Sequence, residues 1–176
     1  MSFAHQSVMK TMHSLSLDGH YIYKLAPWLS WNDLLYGLEQ KYVDEKKISD
    51  YICCSLTTAH PKEAYEIAVT PIESQHLIHQ LLSTLASQSQ EKTANTNKPW
   101  LFLSLSFLFD NKHLYNNVFE ELEILYADFN YPEELAPLIR YMPAPDGMEG
   151  SEDYVLKNWK AVLSRYEKLF ADRRNP

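Results

Sequence analysis

The sequence predicts a mainly α-helical protein, an irregular bundle or array of about eight helices with a small N-terminal β-hairpin as an optional addition. Three observations carry that expectation. Apolar residues recur three and four positions apart along most of the chain, the period of a helix buried on one face. Nine prolines stand against four glycines, too few glycines for the positive-φ turns of a many-hairpin sheet. Of the 176 residues 45% are apolar and 22% charged, which suits a real core and argues against disorder. The length suits a single helical domain spanning residues 1–176.

At the N-terminal end Ser14-Leu15-Ser16-Leu17 alternates, Asp18-Gly19 is a favoured two-residue turn, and Tyr21, Tyr23 and Leu25 alternate after it. This is the hairpin pattern, and a hairpin there needs the rest of the chain to pack against. Helices follow. Ser30 and Asp33 form a capping-box-like pair ahead of Trp31, Leu34, Leu35, Leu38 and Tyr42, which share one face. A second helix should run from about Asp44, with Ile48, Tyr51, Ile52 and Ser55 inward. Pro61 and Pro71 suit first helical turns, and Thr70-Pro71-Ile72-Glu73 reads as a capping box before Ile72, Leu77, Ile78, Leu81, Leu82 and Leu85.

The stretch 87–98, SQSQEKTANTNK, is polar apart from one alanine and reads as a flexible loop between two helical halves. Trp100 to Phe109 has partial strand-like alternation, but its length and the leading Pro99 favour a buried helix. Val118 to Tyr126 is helical with Phe119, Leu122, Leu125 and Tyr126 inward, and Pro132 opens a short helix to about Arg140. Residues 142–150 form a loop. Ser151 then caps a last amphipathic helix through Tyr154, Val155, Trp159, Val162, Leu163, Tyr166 and Phe170.

Motifs that carry chemistry are few. No glycine-rich phosphate loop and no GxSxG nucleophile elbow is present. The adjacent Cys53 and Cys54 cannot close an unstrained disulfide, and a mid-helix pair of cysteines is expected to pack as small apolar residues. Glu73, His76 and His79 at three-residue spacing are the nearest approach to a metal motif, yet they lack the HExxH pair and a third ligand. Glu120, Glu121 and Glu123 read as solvated acids. The expectation is therefore a protein that is not an enzyme, with no cofactor and no metal. The absence of a disulfide framework, of an apolar signal segment at the N-terminus and of any span near ~20 apolar residues suits the cytoplasm.

Charge is more informative. The net charge is −7, divided as −2 over residues 1–112, −9 over 113–153 and +4 over 154–176. An acidic surface repels nucleic acid and anionic membranes and attracts basic partners, so neither of the former is an expected partner. An ordinary solvated acidic face is the competing reading.

The segment Tyr126-Ala127-Asp128-Phe129-Asn130-Tyr131-Pro132-Glu133-Glu134, then Ile139-Arg140-Tyr141-Met142-Pro143 and Asp146-Gly147, resembles a signature of a bacterial family, domain of unknown function 2247. Leu29-Ser30-Trp31-x-Asp33 and Asn158-Trp159 resemble it too. The likeness runs loosely from Leu29 to Phe170 and is specific only over 126–147, with Asn130 where an aspartate is expected. What the resemblance implies is association with contact-dependent or polymorphic bacterial toxin systems, in which small acidic proteins act as immunity partners. It implies no catalytic residue.

On that footing the partner is a cognate toxin domain with a basic surface, a nuclease for preference. The partner-binding residues are Glu120, Glu123, Asp128, Tyr131, Glu133, Glu134, Tyr141, Asp146 and Glu149, with Tyr126 as a further aromatic anchor. Two alternatives stand beside this. Tyr131-Pro132-Glu133-Glu134 also reads as a turn into a capped helix stiffened by Arg140 on Asp128 or Glu134, and the whole chain also reads as a helical adaptor module.

Overall fold

Asp18 caps a helix instead of turning a hairpin. Its carboxylate accepts from the Tyr21 amide at 2.7 Å and opens α1 (Gly19–Leu25). The same short acidic side chain serves a hairpin turn and a helix N-cap, so the local signal is shared. Gly19 is needed for a close approach and not for a turn. A Cβ there would meet the carbonyl oxygen of Lys47 and the amide of Tyr51 at 2.5 Å each. The computed structural model describes residues 17–90, 97–140 and 152–174, all helices, 3-10 turns and connections with no strand among them. The protein is mainly α. The described residues fall into two compact units, 17–103 and 104–174.

In the first unit α2 (Trp31–Glu39) opens with a full capping box. The Asp33 amide donates to Ser30 Oγ at 3.1 Å and the Ser30 amide to Asp33 Oδ2 at 3.0 Å. It closes with a Schellman pattern, in which the Tyr42 amide reaches the Gly37 carbonyl at 2.8 Å and Lys41 takes a left-handed φ of 63°. Asp44 caps α3 (Glu45–Ser55) through the Lys47 amide, and Ile48, Tyr51 and Ile52 are buried. Tyr51 also donates its hydroxyl to the Ala26 carbonyl at 2.8 Å, tying the end of α1 to α3. Burial pushes that phenol above its ordinary range.

Pro61 immediately precedes α4 (Lys62–Val69), and Pro71 precedes a 3-10 turn, Ile72–Ser74, before α5 (His76–Gln88). The expected Thr70–Glu73 capping box does not form; Thr70 Oγ1 donates back to the Glu66 carbonyl at 2.6 Å. Ile72 and Leu77 face outward, whereas Ile78, Leu82 and Leu85 are buried. The 3-10 turn accounts for Ile72, because it shifts the phase between that residue and α5, while Leu77 lies on the outer side of α5 itself. α1 packs on α3, and α5 packs on α2 and α4.

α6 (Lys98–Asp110) crosses the boundary between the units, and its residues 99–108 are all buried. A helix buried on every side needs no polar face, which is why its periodicity was ambiguous. Near its start Trp100 lies against Gly37, where a Cβ would collide with the indole, and Trp100 Nε1 donates to the Asp33 carbonyl at 3.1 Å.

In the second unit come α7 (Val118–Asp128), a 3-10 helix at Glu133–Leu138, α8 (Glu152–Leu169) and α9 (Ala171–Arg174). Trp159 anchors α8. It is fully buried, donates Nε1 to the Leu105 carbonyl at 3.2 Å and meets Phe109 edge-on at 5.2 Å. Val155, Val162 and Tyr166 complete the inner face. The expected cap at Ser151 lies outside the described residues. Among the described residues no helix is long and apolar enough to cross a membrane.

Candidate functional site

The acidic face is built on α7. Asn117 caps it by accepting from the Phe119 amide at 3.2 Å, and its own amide holds Glu120 Oε1 at 3.0 Å. Glu120 and Glu121 occupy the first turn, where the helix dipole favours carboxylates. Phe119, Leu122, Leu125 and Tyr126 are buried as expected, which leaves Glu120 exposed and Glu121 and Glu123 half-buried.

Glu123 is paired within the unit. Arg140 brings Nε and Nη2 to its Oε1, each at 3.4 Å, and lies 5.5 Å from the Phe119 ring centroid. Arg140 thus pairs with Glu123, where the sequence suggested Asp128 or Glu134. Glu134 is committed as well, because it accepts from the Tyr166 hydroxyl of α8 at 2.9 Å. Burial raises the Tyr166 phenol first, and the carboxylate beside it raises it further. The neighbouring Asn158 donates to the Pro137 carbonyl at 3.5 Å, so α8 holds the 3-10 helix at two points.

Asp128 is the last residue of α7 and half-buried, and it makes no hydrogen bond or ion pair among the described residues. Burial pushes its carboxyl up to about 6. Past it the chain turns by a Schellman motif. The Tyr131 amide reaches the Tyr126 carbonyl at 2.8 Å and the Asn130 amide the Ala127 carbonyl at 3.0 Å. Asn130 has φ 61° and Tyr131 φ 55°. Asparagine tolerates that region, but a tyrosine there costs about 1–2 kcal/mol, and the following Pro132 disfavours a helical backbone before it. The ring of Tyr131 rests edge-on against Tyr126 at 5.2 Å and stays 60% exposed. A strained backbone therefore presents an exposed aromatic beside Glu133, which is also exposed.

Of the residues expected to bind a partner, Glu120, Tyr131 and Glu133 are exposed, Asp128 is half-buried, and Glu123 and Glu134 have partners within the unit. Tyr126 is buried in the core and so is not an exposed anchor, and Tyr141, Asp146 and Glu149 lie outside the described residues. Tyr166 and Phe119 were legible only as core positions. Their roles in positioning Glu134 and Arg140 leave no mark in local periodicity.

Elsewhere, Glu73, His76 and His79 are exposed, and His79 approaches Glu39 at 3.4 Å. Among the described residues no three His, Cys, Asp or Glu side chains are placed to hold a metal ion. Cys53 is exposed, with its thiol toward the Ala68 carbonyl at 3.6 Å, so it does not pack as an apolar residue. Desolvation, then the neighbouring Cys53, holds the Cys54 thiol above its ordinary range and keeps it protonated.

No curated protein and no solved structure matches the chain. One family does, that of an uncharacterized protein conserved in bacteria, DUF2247, whose sequence model covers residues 21–167 and so takes in both units. The chain belongs to the DUF2247 family of bacterial proteins.

Proposed function

We propose that this protein is a non-catalytic cytoplasmic immunity protein that binds and neutralises the toxic domain of a bacterial effector, a nuclease of a contact-dependent or polymorphic toxin system. The observation that carries the reading is the acidic surface of the second unit, with exposed carboxylates at the start of α7 and an exposed aromatic just past its end. Glu120, Glu121 and Glu133 supply charge, and Tyr131 supplies a rigid exposed ring of the kind found at interface centres. A nuclease binds its substrate through a basic cleft, and such a face steers toward that cleft and covers it.

The test is co-purification of the tagged protein with the product of the immediately upstream gene. A one-to-one complex that abolishes nuclease activity supports the reading, and a clean failure of both overturns it. Glu120→Lys/Glu133→Lys is the informative interface variant. Glu134 is a poor probe because its loss also strands the Tyr166 hydroxyl.

A second reading, a helical adaptor for another protein, is favoured by Val69 and Ile72 of the first unit, 79% and 72% exposed on either side of the Thr70-Pro71 turn. It predicts that Val69→Ser/Ile72→Ser abolishes partner capture while the acidic-face variant does not.

A further inference from the structure

The outward face of α8 carries the opposite charge. Lys157, Lys160, Arg165 and Lys168 are all exposed along one side of the helix, over roughly 16 Å. The other side is committed to the core by Val155, Trp159, Val162 and Tyr166. The helix dipole accounts for Arg165 and Lys168, near the C-terminal end, but its effect fades before Lys157 and Lys160. Neutralisation within the unit does not account for them either, since none of the four is in a salt bridge among the described residues. In the first unit Lys46, Lys47 and Lys62 each pair with an acid three or four residues away. The exposed bases Lys24, Lys41 and Lys98, in no salt bridge among the described residues, are scattered along that unit and not aligned on one helix face. Between the bases of α8 stand the small exposed residues Ala161 and Ser164, which leave the charges accessible. Acids bound the stripe, Glu152 and Asp153 at one end and Asp172 of α9 at the other, and the exposed Glu167 stands at its edge beside Lys168.

We infer that this face of α8 binds a short acidic segment of a partner protein, about three helical turns long. The sign follows from charge complementarity and the length from the bounding acids. A nucleic-acid strand would continue past the stripe onto those acids and would find no exposed aromatic on this face for its bases. An anionic membrane needs apolar residues beside the bases. The apolar side of α8 is buried, and Leu169, 53% exposed, offers one contact at the C-terminal end. Leu169 instead receives an apolar residue at one end of the acidic segment. The inference is independent of the toxin reading, which rests on α7 and the residues after it.

The probe is a fluorescein-labelled peptide of about twelve residues with glutamates three and four apart and a leucine at one end, titrated in an anisotropy assay. The expected result is saturable binding in low salt that weakens about tenfold at ~0.5 M NaCl. Lys160→Glu/Arg165→Glu and the milder Lys157→Gln/Lys168→Gln should each weaken it about tenfold or more while the circular dichroism spectrum is unchanged. Lys24→Glu/Lys98→Glu makes the same net charge change on exposed residues of the first unit and should bind as the parent does. Equal loss in the two charge-reversed variants, or no binding by the parent, overturns the inference. So does tighter binding to a duplex DNA oligonucleotide or to phosphatidylserine vesicles. Salt-sensitive self-association in sedimentation, lost with the α8 variants, overturns it too by making a second copy of this chain the occupant.

Discussion

At Asp128 the fold works against a charge that the unfolded chain bears freely. Its carboxyl stands near 6 when folded against 3.8 ordinarily, so between those values the folded state holds a proton that the unfolded state has lost. Stability therefore falls as pH rises from about 4 to 6, and the full penalty applies above 6. Asp128→Asn removes it. The variant should gain on the order of 1 kcal/mol at neutral pH once partial exposure is discounted, and nothing below about pH 4. Urea midpoints across that range measure it, and a gain that persists in acid would exclude the titration as its cause. Lys41 bears backbone strain. It sits at a left-handed Schellman position, where glycine is free of the strain that a lysine bears. Lys41→Gly should raise stability by about 0.5 kcal/mol, the strain relieved less the added freedom of the unfolded chain. The same change at Tyr131 also removes the ring contact with Tyr126, so it should be neutral or destabilising and should weaken partner binding.

Between elements, two glycines set how closely helices approach. A methyl group at Gly37 enters the Trp100 indole, and Gly37→Ala should cost about 3 kcal/mol in chemical denaturation, the overpacking range for a site with no room to relax. Trp100→Phe in the same background should recover part of the loss, because the smaller ring leaves space at the collision point. Neither contact is visible in sequence order, since Gly37 and Trp100 belong to different helices and Gly19 looks like half of a hairpin turn. What was legible was local. The Ser30–Asp33 box, the start of α3 near Asp44, the proline ahead of α4 and the inward faces of α3, α7 and α8 each depend on residues within one or two turns. The candidate site divides along the same line. Glu120 stands exposed where the α7 periodicity puts it, and Tyr131 and Glu133 are exposed beyond the end of that helix. Glu123 and Glu134 are paired with Arg140 and Tyr166, which lie 17 and 32 residues away, a distance at which periodicity carries no information.

Across the whole molecule the charge of −7 is segregated, and segregation separates local steering from a net-charge effect. If the acidic face of the second unit guides a basic partner, the association rate depends on where the acids lie as well as on how many there are. Glu120→Lys/Glu121→Lys/Glu133→Lys and Glu45→Lys/Glu63→Lys/Glu73→Lys shift the net charge by the same amount, the first in the second unit and the second in the first. In low salt the first should slow association with the co-purified partner by about tenfold or more and flatten its salt dependence. The second should slow it by a factor of about two, the share owed to net charge beyond a Debye length from the contact. Stopped-flow measurements over a salt series give both slopes. Equal slowing in the two variants would mean that the acids after residue 113 act only through the net charge of the chain, and the docking face would then have to be sought among residues without charge.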